Sequence, residues 1–187
     1  MSTTIIIIIA VVAIIILWAV SVNNSLVGKR NQVENAFSGV DVMLKKRHDL
    51  IPNLVASVKS FAKHEKELLS NITALRSQAM NTSNTDEKIG FENQLTGMLG
   101  QLRVSMEAYP ELKSDKNYLQ LQASLNETEE QISAARRSFN SSVNDYNNKV
   151  EMFPSSIIAG MKNFKRKQSF EALDTERTNV NVGDLLA

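Results

Sequence analysis

The chain begins with an uninterrupted apolar run. Residues 5–20 are all apolar, and Val22 extends the run across a single serine. A helix rises about 1.5 Å per residue, so eighteen residues span roughly 27 Å, close to the hydrocarbon thickness of a bilayer. The pattern predicts a transmembrane anchor at residues 1–22, with these side chains inside the span: Ile5, Ile9, Ile14, Leu17, Trp18 and Val22.

The residues on either side of this run indicate whether it is cleaved and which way it is oriented in the membrane. Residues 19–21 read Ala-Val-Ser, a small-x-small site that keeps a cleaved secretory signal open as the alternative. The first four residues carry no Lys or Arg and the apolar core is long, which favours an uncleaved anchor. Basic residues follow the run, so the positive-inside rule predicts a single-pass protein of the cell (inner) membrane, with its N-terminus outside and its body cytoplasmic. These basic residues are Lys29, Arg30, Lys45, Lys46 and Arg47.

Beyond the anchor, apolar residues recur at steps of three and four, which is a heptad pattern. Arg47 and Glu65 occupy two positions of this heptad seam, and Pro52, which lacks an amide donor, lies within its span. One long helix over residues 21–80, kinked near Pro52, is favoured because no Gly or polar linker offers a reversal. A hairpin with Asp49 capping a new helix is the alternative. The apolar seam positions are Val33, Phe37, Val40, Leu44, Ile51, Leu54, Val58, Phe61, Leu68, Ile72, Leu75 and Ala79.

Three further helices are predicted after residue 83. Asn84 and Glu87 resemble a capping box that starts the second helix, whose apolar stripe is Phe91, Leu95, Met98, Leu102, Met106 and Tyr109. Pro110 stops it. Ser114 or Asp115 caps the third helix, whose stripe is Tyr118, Leu121, Leu125, Ile132, Ala135, Phe139, Val143, Tyr146, Val150 and Phe153. Pro154 ends the third helix and opens a fourth over residues 155–170.

Helices with one apolar face and short connections are stable only when those faces pack together. The fold class is therefore all-α: a transmembrane helix continuing into a long antiparallel, four-helix-type bundle over residues 23–170. Residues 171–187 read as a polar tail. The net charge of +1 argues against nucleic acid as a partner, and the absence of cysteine excludes disulfides and thiolate sites.

Two blocks of sequence carry a family resemblance. Residues 26–78, LVGKRNQVENAFSGVDVMLKKRHDLIPNLVASVKSFAKHEKELLSNITALRSQ, and residues 109–154, YPELKSDKNYLQLQASLNETEEQISAARRSFNSSVNDYNNKVEMFP, are similar to the LemA family of bacterial membrane proteins. Phe170-Glu171-Ala172 also resembles a family ending, whereas the closing VNVGDLLA departs from it. The most specific motif is Asp41, Arg47, Asp49, Leu50, Ile51, Pro52 and Asn53. The resemblance implies an N-terminal anchor and a cytoplasmic helical bundle, without a settled molecular activity.

Charged side chains near the apolar stripes suggest structural ion pairs. Arg47 and Glu65 lie on the seam, and Glu129 and Arg136 lie beside the stripe of the third helix, so we expect pairing across the bundle that sets its register. Neighbouring Glu127, Glu129 and Glu130 read as a solvated face rather than a catalytic carboxylate pair.

Other signs of chemistry are missing from the sequence. His48 and His64 would lie about 24 Å apart on one straight helix and cannot share a metal there. Glycine-rich phosphate loops and nucleophile elbows do not occur. The sequence thus predicts no enzyme activity, no metal, no cofactor and no small-molecule substrate.

Two polar clusters near the C-terminus have open interpretations. Asn140, Asn144, Asn147 and Asn148, with Tyr146, form either an oligomer-specifying layer or a solvated face. In the fourth segment, Ile157, Ile158, Met161 and Phe164 lie beside Lys162, Lys165, Arg166 and Lys167. This basic cluster is a candidate contact for an anionic lipid surface, and a solvated side of a bundle-capping helix is the alternative.

The sequence favours a non-enzymatic, membrane-anchored scaffold or structural protein of the bacterial envelope. The anchor makes membrane lipid a partner, and the long seam predicts a homo-oligomer that associates through its bundle. The alternative function is an accessory sensor or regulator whose cytoplasmic bundle binds a dedicated protein partner.

Overall fold

A computed structural model describes residues 3–170, which form six α-helices and no strand. The helices are α1 (Thr3–Lys59), α2 (Lys66–Asn81), α3 (Thr85–Ser105), α4 (Pro110–Lys113), α5 (Lys116–Glu151) and α6 (Ser155–Met161). Short 3₁₀ turns at Lys63–Glu65 and Met106–Ala108 precede α2 and follow α3. The predicted all-α bundle class is confirmed.

Helix α1 carries the apolar run at its start. Within residues 3–170 it is the one helix long and apolar enough to cross a membrane, with a mean hydropathy of 3.3 over its most apolar window. The side chains in this window are not covered by the rest of the chain. Isoleucine side chains left open in this way have a favourable environment in lipid and an unfavourable one in water.

The chain reverses at Ala62, a position that the sequence does not mark. Helix α1 continues through Pro52 to Lys59, so Pro52 does not separate two helices, and the expected single helix to residue 80 is wrong. The N–H groups of Phe61 and Ala62 both bond to the carbonyl of Val58, at 3.0 and 2.9 Å. Ala62 is buried whereas Phe61 is exposed, because the buried face shifts by one residue at the turn.

Side-chain caps fix the starts of α3 and α5. The Asn84 Oδ1 accepts hydrogen bonds from the N–H of Asp86 at 2.9 Å and of Glu87 at 3.5 Å. Half of the predicted capping box therefore forms, while the Glu87 carboxylate accepts from the Thr82 hydroxyl instead. The Asp115 Oδ1 accepts from the N–H of Tyr118 at 2.8 Å, which makes Asp115 the cap of α5.

Helix α6 is shorter than the predicted fourth helix because a left-handed residue ends it. Asn163 has a φ of 56°. The N–H of Phe164 bonds to the carbonyl of Ala159 at 2.9 Å and that of Asn163 to Gly160 at 3.2 Å, which is a Schellman C-cap. Residues 164–170 continue without helical structure.

The chain divides into two compact units, and both α1 and α5 contribute to each. The first unit holds residues 3–47 and Glu127–Ser169. In it α1 and α5 are antiparallel, as three pairs show: Lys29 with Asp145, Phe37 with Phe139, and Arg47 with Glu129. Helix α6 packs on α1 through a small cluster of Ala159, Val22 and Leu26.

The second unit holds residues 48–126 with Phe170, the last described residue. Its core joins side chains from α1, α2, α3, α4 and the start of α5, among them Ile51, Ile72, Leu95, Leu112 and Tyr118. Helix α4 was not predicted, and Leu112 anchors it in this core. The domain boundaries at residues 22 and 170 stay predictions, and the tail lies outside the described residues.

Candidate functional site

Arg47 and Glu129 form a hydrogen-bonded ion pair in the first unit. The Arg47 Nη1 donates to both carboxylate oxygens of Glu129, at 2.8 and 3.1 Å. The Arg47 side chain is fully buried, and 35% of the Glu129 side chain remains exposed. This geometry links α1 to α5 and can set their register, because a buried guanidinium is costly without its carboxylate.

His48 forms a second buried pair, in the second unit. Its Nε2 lies 2.7 Å from Oε1 of Glu92, and both side chains are almost completely buried. The backbone carbonyl of His48 also accepts a hydrogen bond from Arg76 Nε at 2.7 Å. The residue four positions after His48 is Pro52, which has no N–H to give to this carbonyl. Arg76 therefore supplies the donor that the proline removes from α1.

The other charged and polar residues of the Pro52 motif and of the expected ion pairs lie in different surroundings. Asp49 and Asn53 are exposed on α1, Glu65 is half-buried in the 3₁₀ turn, and Arg136 is buried on α5. Arg47 pairs with Glu129 in the first unit, whereas Glu65 belongs to the second unit. The predicted role of the motif as a set stays a prediction.

The amide-rich end of α5 binds a segment of its own chain. Asn147 is buried and pairs with the backbone of Lys167: its Nδ2 donates to the carbonyl and its Oδ1 accepts from the N–H, both at 2.9 Å. The Tyr146 hydroxyl donates to the carbonyl of Lys165 at 2.9 Å, and burial raises the pKa of this phenol. Asn144 and Asn148 are exposed.

The basic cluster is divided between ion pairs and open surface. Arg166 pairs with Glu151 at 3.0 Å, and Lys167 lies 3.8 Å from Glu34. Lys162 and Lys165 are exposed and form no ion pair with the described residues. Arg30 stacks over the ring of Phe164, 5.7 Å from its centroid, so the segment after α6 runs beside α1.

The carboxylates and histidines do not converge on a reactive centre in the part of the chain that the structure describes. Glu127 accepts a hydrogen bond from Gln131 at 2.9 Å, and Glu130 and His64 are exposed. Among residues 3–170 no group of three His, Cys, Asp or Glu side chains has metal-binding geometry.

A groove of about 720 Å³ lies beside the turn of the second unit. Its lining combines apolar side chains with two lysines and several hydroxyls. The lining residues are Val55, Lys59, Ala62, Lys66, Leu69, Ser70, Thr73, Ala74 and Ser77.

Sequence reasoning missed the His48–Glu92 pair, although a signal for it exists. Glu92 falls on the same helical line as Ile89, Leu95 and Leu102, all of which are buried. A carboxylate within an apolar stripe requires a hydrogen-bond partner when it is buried. His48, next to the seam position of Arg47, is that partner.

Comparisons with known proteins agree with the resemblance described above. The model of the LemA family matches residues 36–183. Protein LemA of Metamycoplasma hominis is 28% identical over 163 residues, covering 87% of this chain and 74% of that protein. Magnetosome protein MamQ 2 of Paramagnetospirillum magneticum is 22% identical, over 79% of this chain and 64% of its own length. Magnetosome protein MamQ of Magnetospirillum gryphiswaldense is 23% identical, over 71% and 58%.

Proposed function

Because the chain belongs to the LemA family, we propose that it is a non-enzymatic, membrane-anchored scaffold of the bacterial envelope that associates with copies of itself. One observation carries this proposal: α1 runs without a break from the exposed apolar stretch into both compact units. A bundle built on its own membrane anchor is held close to the membrane by continuous helical backbone. That arrangement suits a protein whose role is to position other molecules.

The use of the buried ionisable groups supports a non-enzymatic role. Arg47 is bonded to Glu129, and His48 is bonded to Glu92 through its ring and to Arg76 through its carbonyl. Each of these groups joins one helix to another. Catalytic groups must instead be able to reach a substrate that is bound in a cleft.

The names of the relatives point the same way. Two of them are called magnetosome proteins, which names a cellular structure and not a reaction. The chain covers less than two thirds of each of these relatives. We therefore take from their names only a structural role for this chain.

Self-association has to use a surface outside the heptad seam of the first unit. Val33, Val40 and Leu44 are buried within one chain, and Phe37 stacks on Phe139 with centroids 5.4 Å apart. The surface available between copies includes the exposed anchor and the outer face of α1, where Val42 is 61% exposed.

Cysteine cross-linking in native membranes tests the scaffold proposal, since the chain has no cysteine of its own. Single variants Ile9→Cys and Val42→Cys probe the anchor and the outer face of α1, and the buried Val40→Cys is the matched control. We expect oxidation to yield cross-linked dimers from at least one exposed position and none from Val40→Cys. A protein that stays monomeric from every exposed position would contradict self-association.

Sided labelling tests the proposed orientation. A membrane-impermeant maleimide applied to intact spheroplasts should label Thr4→Cys and leave Val42→Cys unlabelled until the membrane is opened, because basic residues follow the anchor. The reverse pattern would place the bundle outside the cell membrane.

A further inference from the structure

The corner between α5 and α6 exposes four large apolar side chains: Met152, Phe153, Ile157 and Met161. We call this set the corner patch. Phe153 is 81% exposed and Met161 is 78% exposed, although the phase of the third helix had predicted Phe153 in its buried stripe. Helix α5 ends at Glu151, so Phe153 lies in the turn beyond the stripe. Exposed apolar clusters on a protein surface mark interaction sites.

The antiparallel register of the first unit places this corner beside the membrane end of α1. Asp145 lies beside Lys29, where the two side chains form a bond of 2.8 Å. Met152 lies seven residues after Asp145, and Val22 lies seven residues before Lys29. Because the two helices are antiparallel, Met152 and Val22 lie at the same level along the first unit. Val22 is the last residue of the predicted span.

The packing of α6 independently places this corner beside the membrane end of α1. Ala159 of α6 is buried against Val22 and Leu26, and Val150 and Ile158 pack on the same cluster. Helix α6 therefore lies against the first turn of α1 outside the span, and its opposite face carries Ile157 and Met161, one turn apart.

We propose that the corner patch lies in the interface of the bilayer that its own anchor crosses, with the phospholipid headgroups and upper acyl chains as its partner. The proposal rests on the membrane anchoring of the proposed function and adds a second point of lipid contact. Two contacts on different elements fix the tilt of the bundle, which the anchor alone leaves free.

Charge favours lipid over a protein as the occupant. Exposed Lys162 directly follows Met161, and interfacial segments commonly combine apolar side chains with flanking lysines that reach the phosphates. The rest of the basic cluster lies farther along α1, since Lys167 is beside Glu34, roughly 18 Å of helix beyond Val22. The lipid contact is thus assigned to the corner patch and Lys162, at the level of the membrane surface.

Depth-resolved fluorescence quenching tests this assignment in the full-length protein. Single cysteines at Phe153, at Val42 and at Ile14 carry an environment-sensitive fluorophore in vesicles of phosphatidylethanolamine and phosphatidylglycerol, at low protein-to-lipid ratio. Some vesicles contain a phospholipid with a nitroxide near the top of its acyl chain, and others contain one with a nitroxide near the end of its acyl chain, at the depth of Ile14. Val42 is the matched control, because it is also apolar and exposed on the first unit but lies twenty residues past the span.

The expected result is quenching at Phe153→Cys with a fractional loss at least about twice that at Val42→Cys, since interfacial segments sit about 5–10 Å into the headgroup and acyl boundary. Ile14→Cys reports on the anchor alone. Quenching at Ile14 with equal losses at Phe153 and Val42 overturns the corner contact and leaves the anchor intact. Absence of quenching at Ile14 overturns both. If the emission of the fluorophore at Phe153→Cys is blue-shifted but not quenched by the nitroxide, the patch contacts a protein and not lipid. This result also overturns the proposal.

Discussion

At the residue scale, Arg47, His48 and Glu92 are buried, and each bonds to a side chain on another helix. Arg47 is fully buried but its carboxylate partner Glu129 keeps a third of its side chain in water. The pair is therefore asymmetric. Without the carboxylate, the guanidinium would be buried away from water, whereas without the guanidinium the carboxylate would still reach water. In some proteins such pairs fix which helices meet, and replacing a whole pair by apolar side chains of similar volume is often neutral or stabilising.

We expect Glu129→Met to lower the free energy of unfolding by about 3–5 kcal/mol, the usual cost of breaking a buried pair, because it leaves the guanidinium of Arg47 buried without this carboxylate. The measurement is urea unfolding of the full-length protein in mild detergent, followed by circular dichroism. Lys46→Met is the matched control, since Lys46 and Glu127 form an exposed pair at 4.0 Å whose loss costs about 0–1 kcal/mol. Equal losses from both variants would contradict the role assigned to Arg47.

Tyr146 gives a pH dependence whose direction follows from its surroundings. Burial raises its pKa above the ordinary value of 10.0, and its hydroxyl donates to the carbonyl of Lys165. The unfolded chain loses this proton first, so the contribution to stability is complete below about pH 10 and is lost as the pH rises through the folded pKa.

The test compares unfolding free energies of the native chain and Tyr146→Phe between about pH 9 and about pH 11. The difference between the two proteins should shrink as the pH rises, because phenylalanine neither donates to Lys165 nor titrates. Tyr118, whose pKa burial also raises, is present in both proteins and cancels in the comparison. A difference that stays constant across this range would show that the hydroxyl bond does not stabilise the fold.

At the element scale, the sequence predicted the helix boundaries that depend on local chemistry. Asn84 and Asp115 cap α3 and α5 as expected, and Pro154 lies between α5 and α6. Pro110, expected to stop the second helix, is instead the first residue of α4. The reversal at Ala62 was not predictable, because residues 60–62 include neither Gly nor Pro. Its cause is tertiary: the buried face passes from Val58 to Ala62 and Leu69, and this leaves Phe61 exposed.

Pro52 shows how a tertiary contact compensates for a local defect. Proline in a helix interior costs about 3 kcal/mol, partly through the lost bond to the carbonyl four residues earlier. That carbonyl belongs to His48 and accepts from Arg76 Nε on α2. The sequence identified the defect in α1, but the compensating residue lies 28 positions away and no local pattern connects the two.

A double-mutant cycle tests this compensation. Arg76→Met should cost about 1–3 kcal/mol in the native chain, the usual penalty for leaving a buried acceptor unsatisfied. In a Pro52→Ala background the new N–H of residue 52 bonds to the same carbonyl, so the cost of Arg76→Met should fall. Thermal or urea unfolding of the four proteins gives the coupling energy. An unchanged cost of Arg76→Met in both backgrounds would contradict the assignment.

At the scale of the whole molecule, the long N-terminal apolar helix and the helical class followed directly from the apolar pattern, and the family from two sequence blocks. The partition into two units was not visible, because α1 and α5 cross the boundary without any break in sequence. The amides at the end of α5, read from the sequence as either an oligomer-specifying layer or a solvated face, illustrate a related difficulty: Asn147 bonds to Lys167 of its own chain. Composition at the end of α5 cannot distinguish a partner chain from a returning segment.

The most direct test of the scaffold account is subunit counting in native lipid. Full-length protein carrying one fluorophore per chain is extracted with its surrounding membrane into polymer-bounded lipid particles, and bleaching steps are counted particle by particle. The account predicts two or more steps in most particles, at a frequency that does not fall when the protein is expressed at lower density. Single-step bleaching at every density would show a monomeric membrane protein and contradict the central claim.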